Sequence, residues 1–149
     1  MPYSDPSRFR VKSVVRSFRD LEVYQKTVAL SAEILALRIP AKHAKTLGAA
    51  CEKLTGASQE VPKLIAESYG DKFSNLNLSL AKLESAMRLI ADIITGVDLL
   101  RAVLAEEKGT KTLLDELLTH YQRQKMKILN LQKAWQRVFT RPAPGANRP

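Results

Sequence analysis

The chain has 149 residues, of which 45% are hydrophobic and 6% aromatic, which is long enough for one domain with its own core. The few aromatic residues and the six glycines favour helices over a β-sandwich or barrel. The net charge is +9, with +4 in residues 1–19, −2 in residues 20–118 and +7 in residues 119–149. All of the excess positive charge therefore belongs to the two ends.

The cysteine content and the hydropathy pattern indicate a cytoplasmic protein. A single cysteine, Cys51, excludes an internal disulfide and favours a reducing compartment. Residues 1–20 are rich in arginine and lack the apolar core of a signal peptide. Charged residues interrupt the longest apolar stretch, residues 89–104, so no membrane span is predicted.

Residues 1–19 form a basic segment whose local structure the sequence leaves open. Its cations and apolar residues follow a helical spacing, although residues 8–12 alternate as a strand would. Residues 8–19 contain no acid and resemble an organellar transit peptide, but we favour a basic arm. Its basic side chains are Arg8, Arg10, Lys12, Arg16 and Arg19.

Residues 20–140 predict an all-α fold, an up-down-up-down antiparallel bundle of four helices joined by short links. The spacing places the first three helices at about 20–37, 45–69 and 73–106, and the fourth from Thr110 for about 30 residues. The prolines that follow predict a disordered tail at residues 141–149.

Two residues predict local features of these helices. Asp20 is a suitable N-cap for the first helix, because its carboxylate can accept a free backbone N–H. Pro62 lies inside the second helix and removes one backbone hydrogen bond, which predicts a kink or a break near Ser58.

The third helix carries two adjacent apolar rows, one more than a lone bundle helix commonly needs. Either it is the most buried helix of a monomer, or the second row covers a neighbouring copy of the chain, since an exposed row would reduce solubility. The second interpretation predicts an oligomer interface at Leu89, Ile93, Leu100 and Val103.

The residues that usually carry catalysis or bind metals are scarce. Two histidines and one cysteine cannot build a di-iron bundle site or a zinc site. Cys51 and His43 could be read as a thiol–histidine pair, but a small buried cysteine on a helix is the better interpretation. No glycine-rich phosphate loop is present. The sequence therefore predicts a non-catalytic protein without cofactor or metal.

The second half of the fourth helix is basic and contains no acid. The preference of cations for a helix C-terminus explains only its last turn, and like charges four residues apart repel. In an up-down-up-down bundle the basic arm and this half helix would share one pole, which favours a polyanion over a merely solvated surface. We expect contacts to the phosphates of RNA or an RNA–DNA hybrid, from Arg123, Lys125, Lys127, Lys133, Arg137 and Arg141.

Several short motifs resemble a small bacterial family of four-helix bundles. They are residues 20–27 (DLEVYQKT), Ile39-Pro40, Leu47-Gly48 and residues 61–67 (VPKLIAE). The family includes proteins encoded in intervening sequences of large-subunit ribosomal RNA genes and the accessory variability proteins of diversity-generating retroelements. The resemblance covers about residues 20–140. It implies a ring-like homopentamer and, in the retroelement branch, a basic surface that binds a reverse transcriptase and its template RNA.

The resemblance leaves two functions open. Residues 39–43 (IPAKH) and Leu47-Gly48 resemble the retroelement branch, which implies a nucleic-acid-binding accessory protein. The helix with Val61-Pro62 resembles the ribosomal RNA branch, which implies a structural or interaction bundle without a polymerase partner.

Overall fold

The computed structural model describes residues 15–140 and contains, within that range, four α-helices and no β-strand. The predicted all-helical bundle is thus confirmed. A 3-10 turn at Phe18–Asp20 precedes helices α1 (Glu22–Leu35), α2 (Ala41–Asp71), α3 (Leu76–Val103) and α4 (Lys108–Thr140). The predictions for Arg8, Arg10, Lys12, Arg141 and the tail at residues 141–149 lie outside the described residues.

The beginnings of α1 and α2 differ from the sequence prediction. Asp20 does not cap α1; its carboxylate accepts the backbone N–H groups of Arg16 (2.8 Å) and Ser17 (3.3 Å) and closes the 3-10 turn. Helix α2 starts directly after Pro40, four residues earlier than predicted. The fixed backbone angle of proline suits the start of a helix, and its missing N–H costs nothing there.

Helix α2 runs through Pro62 without a break, over 31 residues. Of the two predicted outcomes near Ser58, a kink or a break, the break does not occur. Pro62 is buried among neighbouring core residues such as Val61 and Ile65, so the packing of α2 outweighs the one backbone hydrogen bond that proline removes.

Helix α3 packs between α2 and α4, while α1 packs against α2 and α4. Both apolar rows of α3 are largely buried within this one chain, which accounts for the double row without a second copy. Two of the four predicted interface residues, Ile93 and Leu100, have no exposed surface. They are therefore not available to a neighbouring chain, whereas Leu89 is half-buried and Val103 is exposed.

Buried polar contacts fix the helices against one another. The hydroxyl oxygens of Ser31 in α1 and Ser58 in α2 lie 3.0 Å apart. The Ser79 hydroxyl of α3 donates to the Ser68 carbonyl of α2 at 2.7 Å. Because an unpaired buried hydroxyl is costly, these pairs favour one alignment of neighbouring helices.

Candidate nucleic-acid interface

The second half of α4 has a buried side and an exposed basic side. Four residues are buried there, at steps of three, four and seven: Tyr121, Gln124, Ile128 and Trp135. At about 100° per residue, positions 123, 133 and 137 lie on the opposite side of the helix, and positions 125 and 127 lie at its two flanks. Arg123, Lys125, Lys133 and Arg137 are exposed, and Lys127 is half-buried.

One of these cations is neutralised across the bundle. The Lys127 ammonium lies 2.6 Å from the Glu22 carboxylate of α1. The hydrogen bond from Lys127, and then its charge, lower the pKa of the Glu22 carboxyl. The second half of α4 contains no acid of its own, and the carboxylate that neutralises Lys127 comes from another helix.

The other four cations of this surface have no such partner. Among residues 15–140, no carboxylate oxygen lies within 4.0 Å of Arg123, Lys125, Lys133 or Arg137. Some cations elsewhere are paired across helices: Lys82 lies 2.7 Å from Asp71, and Arg101 contacts Asp115. We call the four unpaired residues the α4 basic surface.

The described end of the arm, residues 15–19, does not reach the end of α4. Arg16 and Arg19 are exposed, and the 3-10 turn that contains Arg19 packs against α1 and α2. The start of α1 lies beside Lys127, which is 13 residues before Thr140, or about 20 Å along the helix axis. The start of α1 and the end of α4 therefore do not meet, because α1 has only 14 residues.

The turn between α2 and α3 meets the end of α4 instead. There the Tyr69 and Trp135 rings have centroids 6.4 Å apart, and the Phe73 and Phe139 rings stand edge to face at 5.1 Å. The Lys72 ammonium lies 3.4 Å from the Tyr69 centroid and 4.0 Å from the Phe73 centroid. We call these five residues the aromatic end cluster.

The burial within this cluster is uneven. Lys72 is 7% exposed, and burial lowers the pKa of its ammonium. Phe73 is 75% exposed, more than any other large hydrophobic residue described. Tyr69, Lys72 and Phe73 are close together in the sequence, but the sequence does not show that α4 brings Phe139 to them. The cluster was therefore missed by sequence reasoning.

The Cys51 thiol is partly buried on α2. Burial raises the pKa of the Cys51 thiol, which disfavours the nucleophilic thiolate. No group of three or more metal-ligating side chains occurs in residues 15–140. None of the described helices is long and apolar enough to cross a membrane.

Comparison with known proteins does not assign a family or a function to this chain. Comparisons with family models, with curated proteins and with solved structures found no match to this chain. The functional inference therefore depends on the α4 basic surface and its surroundings.

Proposed function

We propose that this chain is a non-catalytic accessory protein whose α4 basic surface binds the phosphates of RNA or an RNA–DNA hybrid. One observation carries the proposal. Four exposed cations occur within 15 residues of one helix, and no carboxylate of the described chain neutralises them. Such a surface attracts a polyanion and gains free energy by releasing the counterions of the nucleic acid.

Phosphate contact suits the geometry of this surface. Exposed lysine and arginine side chains reach a phosphate chain but do not by themselves distinguish bases. The binding is thus expected to depend steeply on salt and weakly on sequence. By resemblance to the retroelement branch, we propose a reverse transcriptase and its template RNA as partners of the cytoplasmic protein.

The contacts between helices support the proposed up-down-up-down order. Early residues of α3 contact late residues of α4, as in the 3.1 Å hydrogen bond from the Gln132 amide to the Leu80 carbonyl. Late residues of α3 contact early residues of α4, as in the pair of Arg101 and Asp115. This is the pattern of antiparallel neighbours.

We also propose that the chain forms the ring-like homopentamer that the resemblance implies, through the outer side of α2 and α3. Leu99 and Val103 are 58% and 41% exposed there. Leu99 borders a groove of about 560 Å³ between the two helices. Small residues such as Gly56 and Gly96 line this groove and would let another helix approach closely.

Light scattering tests the oligomer. At micromolar concentration the wild-type mass is expected to be five times the 16.6 kDa of one chain. Leu99→Glu should reduce it, because a buried unpaired carboxylate is costly in an interface, while Leu113→Glu, at an exposed site on α4, should not. A wild-type mass of one chain would contradict the oligomer proposal.

Charge reversal tests the binding surface. The test variant changes Arg123, Lys125, Lys133 and Arg137 to Glu. The control variant makes the same change in charge at four exposed residues elsewhere: Arg38, Lys45, Arg88 and Lys108. Surface substitutions of this kind usually change the free energy of unfolding by no more than about 0.5 kcal/mol each, so both variants should fold, which circular dichroism checks.

Filter binding of RNA at 50 mM salt then separates the two variants. We expect the test variant to lose at least about ten-fold in affinity because four phosphate contacts are lost. The control variant should lose much less, although its net charge is the same. Equal losses would indicate that only net charge matters, and absence of binding by the wild type would refute the proposed function.

A further inference from the structure

The aromatic end cluster presents one aromatic ring to solvent. Phe73 is 75% exposed, an unusual state for a phenylalanine, because exposure of its ring forfeits about 1.5–3 kcal/mol of burial. Its position is nevertheless defined by two neighbours. The Phe139 ring stands at 88° to it, 5.1 Å away, and the Lys72 ammonium lies 4.0 Å from its centroid.

The packing beneath Phe73 keeps this ring in place. Lys72 is buried between the Tyr69 and Phe73 rings and also donates to the Tyr69 carbonyl at 3.4 Å. Trp135 lies behind them, 5.8 Å from the ammonium. A cation over an aromatic ring is attracted by its π-electrons, so Phe73 is held by contacts on its inner side while most of its surface stays open.

A cation lies against this ring, and a basic turn of α4 is close by along the helix axis. The Lys72 ammonium is 4.0 Å from the Phe73 centroid. Arg137 of the α4 basic surface lies on the same last turn of α4 as Phe139, but residues two apart on a helix point to different sides. The nearest acid along the chain, Asp71, is engaged by Lys82 at 2.7 Å. An exposed aromatic ring with a cation against it favours a partner that carries both flat rings and negative charge.

We propose that the aromatic end cluster binds an unpaired base of single-stranded RNA, stacked on the exposed face of Phe73. The proposal rests on the proposed function, because the α4 basic surface supplies the phosphate contacts that bring the strand to the cluster. Single-strand binding proteins combine these two features, a basic track for the backbone and an aromatic ring for the base. Bases within a duplex are already stacked on their neighbours and therefore do not stack on Phe73.

The test compares oligomers with and without bases. The probes are a single-stranded 12-nucleotide RNA, an abasic ribose-phosphate oligomer of the same length and an RNA duplex. Phe73→Ala is expected to weaken binding of the single strand by about five-fold or more, the range found for loss of one stacked base. Binding of the abasic oligomer and the duplex should stay within about two-fold, because both retain their phosphates.

Two control variants isolate the stacking. Phe73→Trp restores a flat ring and should restore the affinity for the single strand. Leu113→Ala removes an exposed apolar side chain of α4 outside the cluster and should leave all three affinities unchanged. Since the chain has a single tryptophan, the fluorescence of Trp135 reports on this cluster and should change with the RNA but not with the abasic oligomer.

The outcomes distinguish the two proposals. If the charge-reversal variant loses RNA while Phe73→Ala binds the single strand as the wild type does, stacking is overturned and the proposed function stands. If the wild type binds no oligomer, both fail. If Phe73→Ala leaves RNA binding intact and instead lowers the mass found by light scattering, Phe73 is a contact between copies and the stacking proposal is overturned.

Discussion

The two halves of α4 contact the same neighbours but differ in charge. In residues 108–122, Leu117 borders a small cavity together with Glu33 of α1, and Asp115 pairs with Arg101 of α3. In residues 123–140, Lys127 pairs with Glu22 of α1, and Gln132 bonds to Leu80 of α3. The first half has as many acids as lysines and arginines, whereas the second half has five cations and no acid.

This difference shows which charges the packing of the bundle requires and which it does not. Both halves bury an apolar side against α1 and α3, so packing alone does not require a change in charge along the helix. Unneutralised like charges on one helix repel each other and weaken it slightly. The packing of the bundle therefore does not account for the charge of the second half, which is the basis of the proposed partner.

Core truncations in both halves should produce the largest effects. Leu117→Ala in the first half and Ile128→Ala in the second each empty a site that is at most 1% exposed. Each is expected to lower the free energy of unfolding by about 2–5 kcal/mol, measured by urea denaturation. If Ile128→Ala lowered the free energy of unfolding by less than about 1 kcal/mol while Leu117→Ala had the expected effect, equal packing of the two halves would be contradicted.

Removing the acid that reaches the second half should have the smallest effect on stability. The pair of Glu22 and Lys127 is largely exposed, so Glu22→Gln should cost less than about 1 kcal/mol in unfolding free energy. Lys127 then becomes available to phosphate. We expect RNA binding to strengthen and the dependence on salt to steepen by about 0.7, one further contact. Unchanged binding would indicate that Lys127 lies outside the interface.

The pH dependence of the same pair has a defined sign. The pKa of the Glu22 carboxyl is lowered in the folded protein, so the pair stabilises the fold above the unfolded pKa of that carboxyl. This small contribution is lost as the pH falls through the lowered folded pKa. Urea denaturation of the wild type and Glu22→Gln should thus differ at neutral pH and converge in acid.

The sequence predicted the parts of the fold that depend on local spacing. The apolar rows of α3 predicted a wide buried arc, and Leu83, Ile90 and Val97 are fully buried. The rows did not reveal what covers them. Ile93 and Leu100 are covered by helices of their own chain, which spacing on one helix cannot distinguish from a second copy.

The two contacts of the site that the sequence did not predict join residues that are distant in sequence. Glu22 and Lys127 are 105 residues apart, so the basic half helix looked entirely uncompensated. Phe73 and Phe139 meet only because the turn between α2 and α3 reaches the end of α4. Helical periodicity gives the side of a helix on which a residue lies. It does not give the position along the axis at which that residue meets another helix.

The slope of log affinity against log salt tests the account most directly. It is measured for wild type and for the variant with Arg123, Lys125, Lys133 and Arg137 changed to Glu, on the same single-stranded RNA. Each phosphate contact contributes about 0.7 to this slope. The account predicts a steep slope for the wild type and one shallower by about 2.8, four contacts, for the variant. Two equal slopes would contradict phosphate binding by the second half of α4.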